Sequence, residues 1–250
     1  MTLIGGFFPS CYAALFSLCV ISLATFTIMN NCKQTVWPGI LSNAGIAPLE
    51  TTGFALQNGE SKVLNVPSSW GGRLWGRTHC FQDLDGKFTC GTGDCGSGKM
   101  EFTGATPIPP ATLVEFTLGG DGGMDFYDVS LVDGYNLPML IAPSGGSGHI
   151  CSSTGCMVDL NSACPSALKV INLDGEGVAC RSACEVFGQH EYCCSGAYGT
   201  PDTCQPSSYS QVFKSACPRA SSYPYDDKTS TFTCIGADYH VTFCPMSTPR

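Results

Sequence analysis

Short apolar runs of strand length, set between clusters of Gly, Pro, Asn, Asp and Ser, recur along this chain. They fall at 25–29, 62–66, 112–118, 126–132, 137–141, 230–234 and 239–243, each with a turn signal beside it. Several alternate: in Thr-Leu-Val-Glu-Phe-Thr-Leu at 112–118, odd and even positions would face opposite sides of a sheet. The pattern predicts a mainly β fold, an antiparallel sandwich or barrel, and 250 residues can form one such unit. Two stretches, near 182–187 and 208–215, read as short helices.

The N-terminal end departs from this pattern. From Ala13 to Ala24 the chain reads AALFSLCVISLA, too short to span ~30 Å of hydrocarbon, with Ser22 and Ala24 as small residues at the two positions signal peptidase inspects. A signal peptide over 1–24 is expected, cleaved after Ala24 within a residue or two, although Met1 to Ser10 holds no Lys or Arg. No later segment approaches the ~18 consecutive apolar residues of a membrane helix, so no membrane span is expected.

Composition narrows the compartment and the partners. Of 17 cysteines, Cys11 and Cys19 would leave with the leader, and the remaining fifteen are still an odd number. So many thiols fit an oxidising, secretory route in which they pair. Charged residues are 13% of the chain and hydrophobic ones 43%, against ~25% charged in an ordinary domain, which excludes a disordered tail. A net charge of −8 without a Lys/Arg cluster excludes phosphate backbones, so no nucleic acid partner is expected. No Asn-x-Ser/Thr acceptor is present, so N-glycosylation is not expected. Most cysteines lie from Cys151 onward among Gly, Ser and Pro, as in a loop-rich lobe held by cross-links.

Gly86-Lys87-Phe88-Thr89-Cys90-Gly91-Thr92-Gly93-Asp94-Cys95 closely resembles the signature of the thaumatin-like proteins, the group-5 pathogenesis-related proteins of plants. The resemblance runs the length of the chain after the leader. It includes Phe26-Thr27-Ile28 with Asn31-Cys32, Trp75-Gly76-Arg77-Thr78, Pro110-Ala111-Thr112-Leu113, Asp125 to Asn136, and Phe232-Thr233-Cys234. It implies one thaumatin-like domain over 25–250: a β core, a small disulfide loop at about 80–102 and a cysteine-rich lobe at about 156–217. It further implies the pairs Cys32–Cys244, Cys80–Cys90, Cys151–Cys234, Cys156–Cys217, Cys164–Cys180, Cys184–Cys193 and Cys194–Cys204. The family's eighth bridge is broken here because Phe102 stands where its second cysteine would be, so Cys95 is expected to carry a free thiol.

The resemblance also implies an acidic cleft lined by Arg73, Glu115, Asp128, Asp133 and Asp226. Breaking a glycosidic bond needs one carboxyl that donates a proton and one that stays ionised. Glu115 is the expected acid and Asp128 the expected base or stabiliser, with Arg73, Asp133 and Asp226 binding substrate. The plainer reading is that Arg73 pairs with an acid and Asp133, before Gly134, caps a turn. Phe81, Phe88, Phe126, Tyr127, Tyr135, Tyr223 and Tyr225 lie close to these acids in sequence and are candidates to stack on sugar rings, with core packing as the default for each. His190-Glu191-Tyr192-Cys193-Cys194 reads as paired cysteines rather than a metal cluster, and Gly119-Gly120-Asp121-Gly122-Gly123 as a turn rather than a calcium loop. No metal or cofactor is expected.

The resemblance therefore implies a secreted antifungal defence protein. It would bind β-1,3-glucan or another fungal wall polysaccharide, with at most weak endo-β-1,3-glucanase activity. Two alternatives stay open: an inhibitor of microbial xylanases or amylases that binds a protein through exposed loops, and a non-catalytic stress or ripening protein. A monomer is expected. Only six residues follow Cys244, which leans toward the apoplast rather than the vacuole.

Overall fold

A computed structural model describes residues 23–246; the expected leader, apart from Leu23 and Ala24, lies outside them. Twelve strands follow one another as β1 Leu23–Asn30, β2 Trp37–Ser42, β3 Ser61–Pro67, β4 Gly71–Gln82, β5 Phe88–Thr92, β6 Leu113–Thr117, β7 Asp125–Ser130, β8 Met139–Ser147, β9 Thr154–Cys156, β10 Lys169–Ile171, β11 Gly177–Cys180 and β12 Phe232–Phe243. The helices are short: α1 Leu160–Ala163, α2 Ala183–Phe187, α3 His190–Cys193, α4 Ser208–Ala216 and α5 Asp227–Ser230. The protein is mainly β, and ten strands join in a single curled sheet of path order β2-β4-β6-β7-β12-β1-β3. Every pairing in it is antiparallel except β1 with β12.

The two expected strands at 230–234 and 239–243 are one. The strand β12 pairs with β7 through Phe232–Cys234, then turns at Gly236 (φ +66°) to run between β8 and β1. The strand β4 escaped the sequence pattern because Gly71, Gly72, Gly76 and Arg77 interrupt its apolar residues. Close packing calls for such interruptions: a Cβ on Gly72 would stand 2.5 Å from the Trp70 ring. The helices near the expected positions are fixed at their starts by Ser182 and Ser207, whose hydroxyls accept from the Glu185 and Ser210 N–H, the N-cap arrangement that satisfies an otherwise orphan donor.

An aromatic cluster fills the core. Phe26 and Phe116 lie 4.5 Å apart between ring centres, Phe116 and Tyr239 4.9 Å, and Tyr239 and Tyr127 5.2 Å. The polar tips are satisfied inside: the Tyr239 hydroxyl donates to Asp125 Oδ2 at 2.8 Å and that of Tyr127 to the Ser152 carbonyl at 2.9 Å. A second, smaller core of Trp75, Phe102, Ala111 and Leu113 forms on the opposite face of β4 and β6. Beside it Arg77, 1% exposed, donates to the carbonyls of Trp37, Pro38 and Met100 and lies over the rings of Phe88 and Phe102.

Seven disulfides cross-link the chain: Cys32–Cys244, Cys80–Cys90, Cys151–Cys234, Cys156–Cys217, Cys164–Cys180, Cys184–Cys193 and Cys194–Cys204. Among the described residues Cys95 is free. Such cross-linking fits an oxidising compartment. No helix of the described residues is long and apolar enough to cross a membrane.

The bridges differ in how much unfolded-chain freedom they remove. Cys32–Cys244 closes 212 residues and Cys80–Cys90 only 10, which corresponds to ~5 against ~3 kcal/mol in the chain-entropy account. Replacing both cysteines of the first pair by serine should lower unfolding stability by about 2 kcal/mol more than the same change in the second. Urea titrations of the two double variants check this, and equal losses would refute it.

Candidate functional site

Three strands set the centre of the site. Arg73 on β4 lies directly opposite Glu115 on β6, and Glu115 directly opposite Asp128 on β7. The next residues in each strand, Leu74, Val114 and Val129, point the other way and are fully buried in the main core. Period-two alternation therefore places one cation and two carboxyls in a row on the face away from that core. Arg73 Nη2 stands 3.6 Å from Glu115 Oε1, both side chains about one-third exposed. Asp128 Oδ2 accepts from the Ser221 hydroxyl at 3.1 Å. Ser221 is held there because its N–H donates to the Val129 carbonyl, while its own carbonyl accepts from the Leu131 N–H.

Asp133 follows in the turn after β7, where the Gly134 N–H donates to the Leu131 carbonyl at 3.0 Å. Gly134 has φ +87°, and a Cβ there would meet the Cys180 carbonyl at 2.6 Å, so this turn requires glycine. Asp133 thus sits in a turn, and its carboxyl also feels the charge of Arg73.

Burial and crowding shift the acids. Asp128 is pushed up from 3.8 to about 7, first by burial and then by the charge of Glu115, with the Ser221 hydrogen bond opposing. Glu115 is raised by burial, but Arg73 beside it pulls the other way. Asp133 is raised by burial, and Glu185 on α2 by burial, with Arg181 at 3.2 Å opposing and Asp133 adding. Burial thus raises both carboxyls, Asp128 to about 7, while Arg73 opposes the rise at Glu115.

Asp226 is engaged elsewhere. Its carboxylate accepts from the Ser222 N–H and hydroxyl and from Thr229 Oγ1, at 2.9 to 3.0 Å, and pairs with Lys214 Nζ at 3.0 Å. It organises the 222–230 segment, with its side chain 10% exposed. Asp227, which sequence reasoning passed over, is exposed and is the neighbour whose charge reaches Asp128. Ser221 and Lys214 were also missed, because partners about 90 residues or one helix away leave no local pattern.

The aromatic candidates divide. Phe88, Tyr127 and Tyr135 are buried in the cores, and Phe81 is exposed at the far end of β4. Phe126 and Tyr225 are half-buried. Tyr223 is half-buried with Asp226 and Asp227 acting on its hydroxyl. A cavity of about 300 Å3 opens beside the acidic row rather than over it, with Asp133, Glu185, Tyr192, Tyr209 and Tyr223 in its wall. In the 190–194 motif, Cys193 and Cys194 are in bridges and His190 Nδ1 pairs with the Ser195 hydroxyl at 2.9 Å. Among the described residues no group of three His, Cys, Asp or Glu side chains is set to hold a metal.

Comparison with known proteins gives consistent matches. A family model described as the Thaumatin family covers residues 30–245. The chain is 58% identical to Thaumatin-like protein 1 of Arabidopsis thaliana over 233 residues, 91% of this chain and 88% of that protein. It is 56% identical to Thaumatin-like protein 1 of Pyrus pyrifolia over 223 residues, 89% of this chain and 91% of that protein. It is 55% identical to Pathogenesis-related protein 5 of Arabidopsis thaliana over 220 residues, 88% of this chain and 90% of that protein.

The raised Asp128 couples stability to pH. Between 3.8 and about 7 the folded chain keeps the proton that the unfolded chain has released, so unfolding frees a proton and stability falls as pH rises, by up to about 1.4 kcal/mol per unit. Asp128→Asn should flatten this fall relative to wild type when urea midpoints are compared from acid to neutral pH. Parallel curves would show that Asp128 titrates normally.

Proposed function

The chain belongs to the thaumatin family, and from that premise we propose that it is a secreted plant defence protein which holds β-1,3-glucan of a fungal wall along the Arg73–Glu115–Asp128 row. The observation that carries this reading is the direct cross-strand register of those three residues on the face away from the core. Carboxylates accept hydrogen bonds from sugar hydroxyls, and charge-assisted bonds of this kind are about twice as strong as neutral ones. Asp133 and Asp227 extend the acidic surface, and Tyr223 offers a ring beside it. The apoplast is the proposed destination.

Hydrolysis would be slow, with Asp128 donating the proton to the leaving oxygen and Glu115 ionised. Directly opposite residues on antiparallel strands have Cβ atoms ~4.5–5.5 Å apart, which favours the close class of carboxyl pair over the class ~6.5–9.5 Å apart that admits a water. Arg73 supports this division, since its guanidinium stabilises the charged form of Glu115.

Binding and turnover separate in two measurements. Sedimentation with insoluble β-1,3-glucan should retain wild type and lose most of the Glu115→Gln, Asp128→Asn double variant; equal retention removes the row as the binding site. Any release of reducing ends should decline as pH rises through about 7, where Asp128 loses its proton, and should drop ~10²-fold or more in Asp128→Asn. Product no greater than a heat-killed control at every pH from acid to neutral leaves binding without catalysis.

A further inference from the structure

We propose that the cavity beside the acidic row is a binding site for a small organic cation, an ammonium group on a short alkyl or sugar stem. About 300 Å3 in volume, it falls at the lower end of the range for small-ligand sites. Five separate segments meet around it: Asp133 comes from the turn after β7, Glu185 from α2, Glu191 and Tyr192 from α3, Tyr209 from α4, and Tyr223 from the stretch before α5. Its wall holds three carboxyls and three tyrosine rings but, among the described residues, no Lys or Arg. A cation is drawn by that imbalance and an anion repelled, while a neutral ligand gains nothing from it. The cavity shares only Asp133 and Tyr223 with the proposed glucan surface.

Aromatic rings form one corner of the wall. Those of Tyr192 and Tyr209 stand 6.0 Å apart between centres at 84° to one another, and Phe187 backs the pair from 5.6 and 5.3 Å. A cation within ~6 Å of a ring centre is attracted by the ring quadrupole, so one ammonium can lie within reach of both tyrosines. The corner is held in advance of any ligand. Cys184–Cys193 ties α2 to α3, and Cys194–Cys204 ties the end of α3 to the chain that enters α4, and all four cysteines lie in the wall. Such preorganisation lowers the ordering cost of binding.

The carboxyls have unspent capacity. Among the described residues no hydrogen-bond donor or cation lies within bonding distance of the Asp133 carboxyl; Arg73, whose charge reaches it, stands beside Glu115 instead. Glu185 pairs with Arg181 at 3.2 Å, but Arg181 is outside the wall with its side chain 46% exposed, and exposed pairs of this kind are weak. The charge of Asp133 acts on Glu185, so the two acids that bound the cavity repel one another. An ammonium placed between them would relieve that repulsion and accept both as hydrogen-bond partners.

The test is calorimetric titration of the whole chain at low ionic strength and mildly acid pH, comparing each amine with its uncharged counterpart. The pairs are 1,4-diaminobutane against 1,4-butanediol, and glucosamine against glucose. At least one amine should bind about tenfold or more tighter than its counterpart, and which of them does so tells an alkyl stem from a sugar stem. That affinity should fall about two- to thirtyfold in Tyr192→Ala and return in Tyr192→Phe, which keeps the ring; Glu185→Gln should lower it as well. Equal binding within both pairs, or none at all, would overturn the proposal, and so would full affinity in Tyr192→Ala and Glu185→Gln. Sedimentation with insoluble β-1,3-glucan separates this site from the acidic row. Tyr192→Ala, with a thermal transition that shows it folded, should be retained like wild type, and loss of glucan and amine together would overturn the cavity as a site of its own.

Discussion

The site depends on the register of β4, β6 and β7. Leu74, Val114 and Val129 are fully buried on one face, and each such side chain contributes about 1.5–3 kcal/mol by leaving water. A slip of one residue in any of the three strands would expose its member of this set and turn the matching Arg73, Glu115 or Asp128 into the core. The core therefore holds the two carboxyls together more strongly than their mutual repulsion, partly relieved by Arg73, can drive them apart. Proximity that would be unfavourable for free side chains is imposed by packing beneath them, and it adds to the burial that raises Asp128.

The remaining wall of the site is assembled from segments with little core of their own. The stretch from Ser221 to Ser230 lies beside β7 through backbone bonds at Ser221, and Asp226 gathers Ser222, Thr229 and Lys214 around one carboxylate. Lys214 comes from α4, whose next residues lead into the Cys156–Cys217 bridge. Ser221 thus reaches Asp128 because a half-buried ion pair and a cross-link hold its segment, so the cysteine-rich region acts on the acidic row without lining it. That division explains why a matching acid, Asp226, can be structural while its exposed neighbour Asp227 carries charge toward the site.

Strand periodicity made β6 and β7 legible in the sequence, because both strands bury one side and expose the other; Glu115 and Asp128 were singled out only through the family resemblance, and their direct cross-strand register is visible only in the structure. The strand β4 was not legible. Its glycines and Arg77 are needed where Trp70, Leu137, Phe243 and the β2 backbone approach closely, and such tertiary demands override local pattern. The turn at Asp133 could be read from the glycine after it. The raised pKa of Asp128 could not, since it depends on burial and on Glu115, and neither can be counted along the chain. Within the 182–210 region α3 was hidden for a related reason: a helix of four residues is set by its bridges rather than by an apolar stripe.

Phe102 stands where the family resemblance implies a cross-link to Cys95, and packing occupies that place. A bridge between positions 95 and 102 would close a loop so short that the chain-entropy account assigns it only about 2–3 kcal/mol. In its place the Phe102 ring is 6% exposed, lies 5.5 Å from the Trp75 ring and sits under the Arg77 guanidinium. Burial of one phenylalanine contributes about 1.5–3 kcal/mol and a desolvated cation–π contact about 0.5–2 kcal/mol, so the packing is at least as large as the bridge. They differ in what remains afterwards. The bridge leaves no titratable group, whereas the aromatic wedge leaves Cys95 as a thiol and Arg77 Nη1 without a partner in the same small core. Packing energy of this size can stand in for a covalent bond, but it cannot remove a nucleophile.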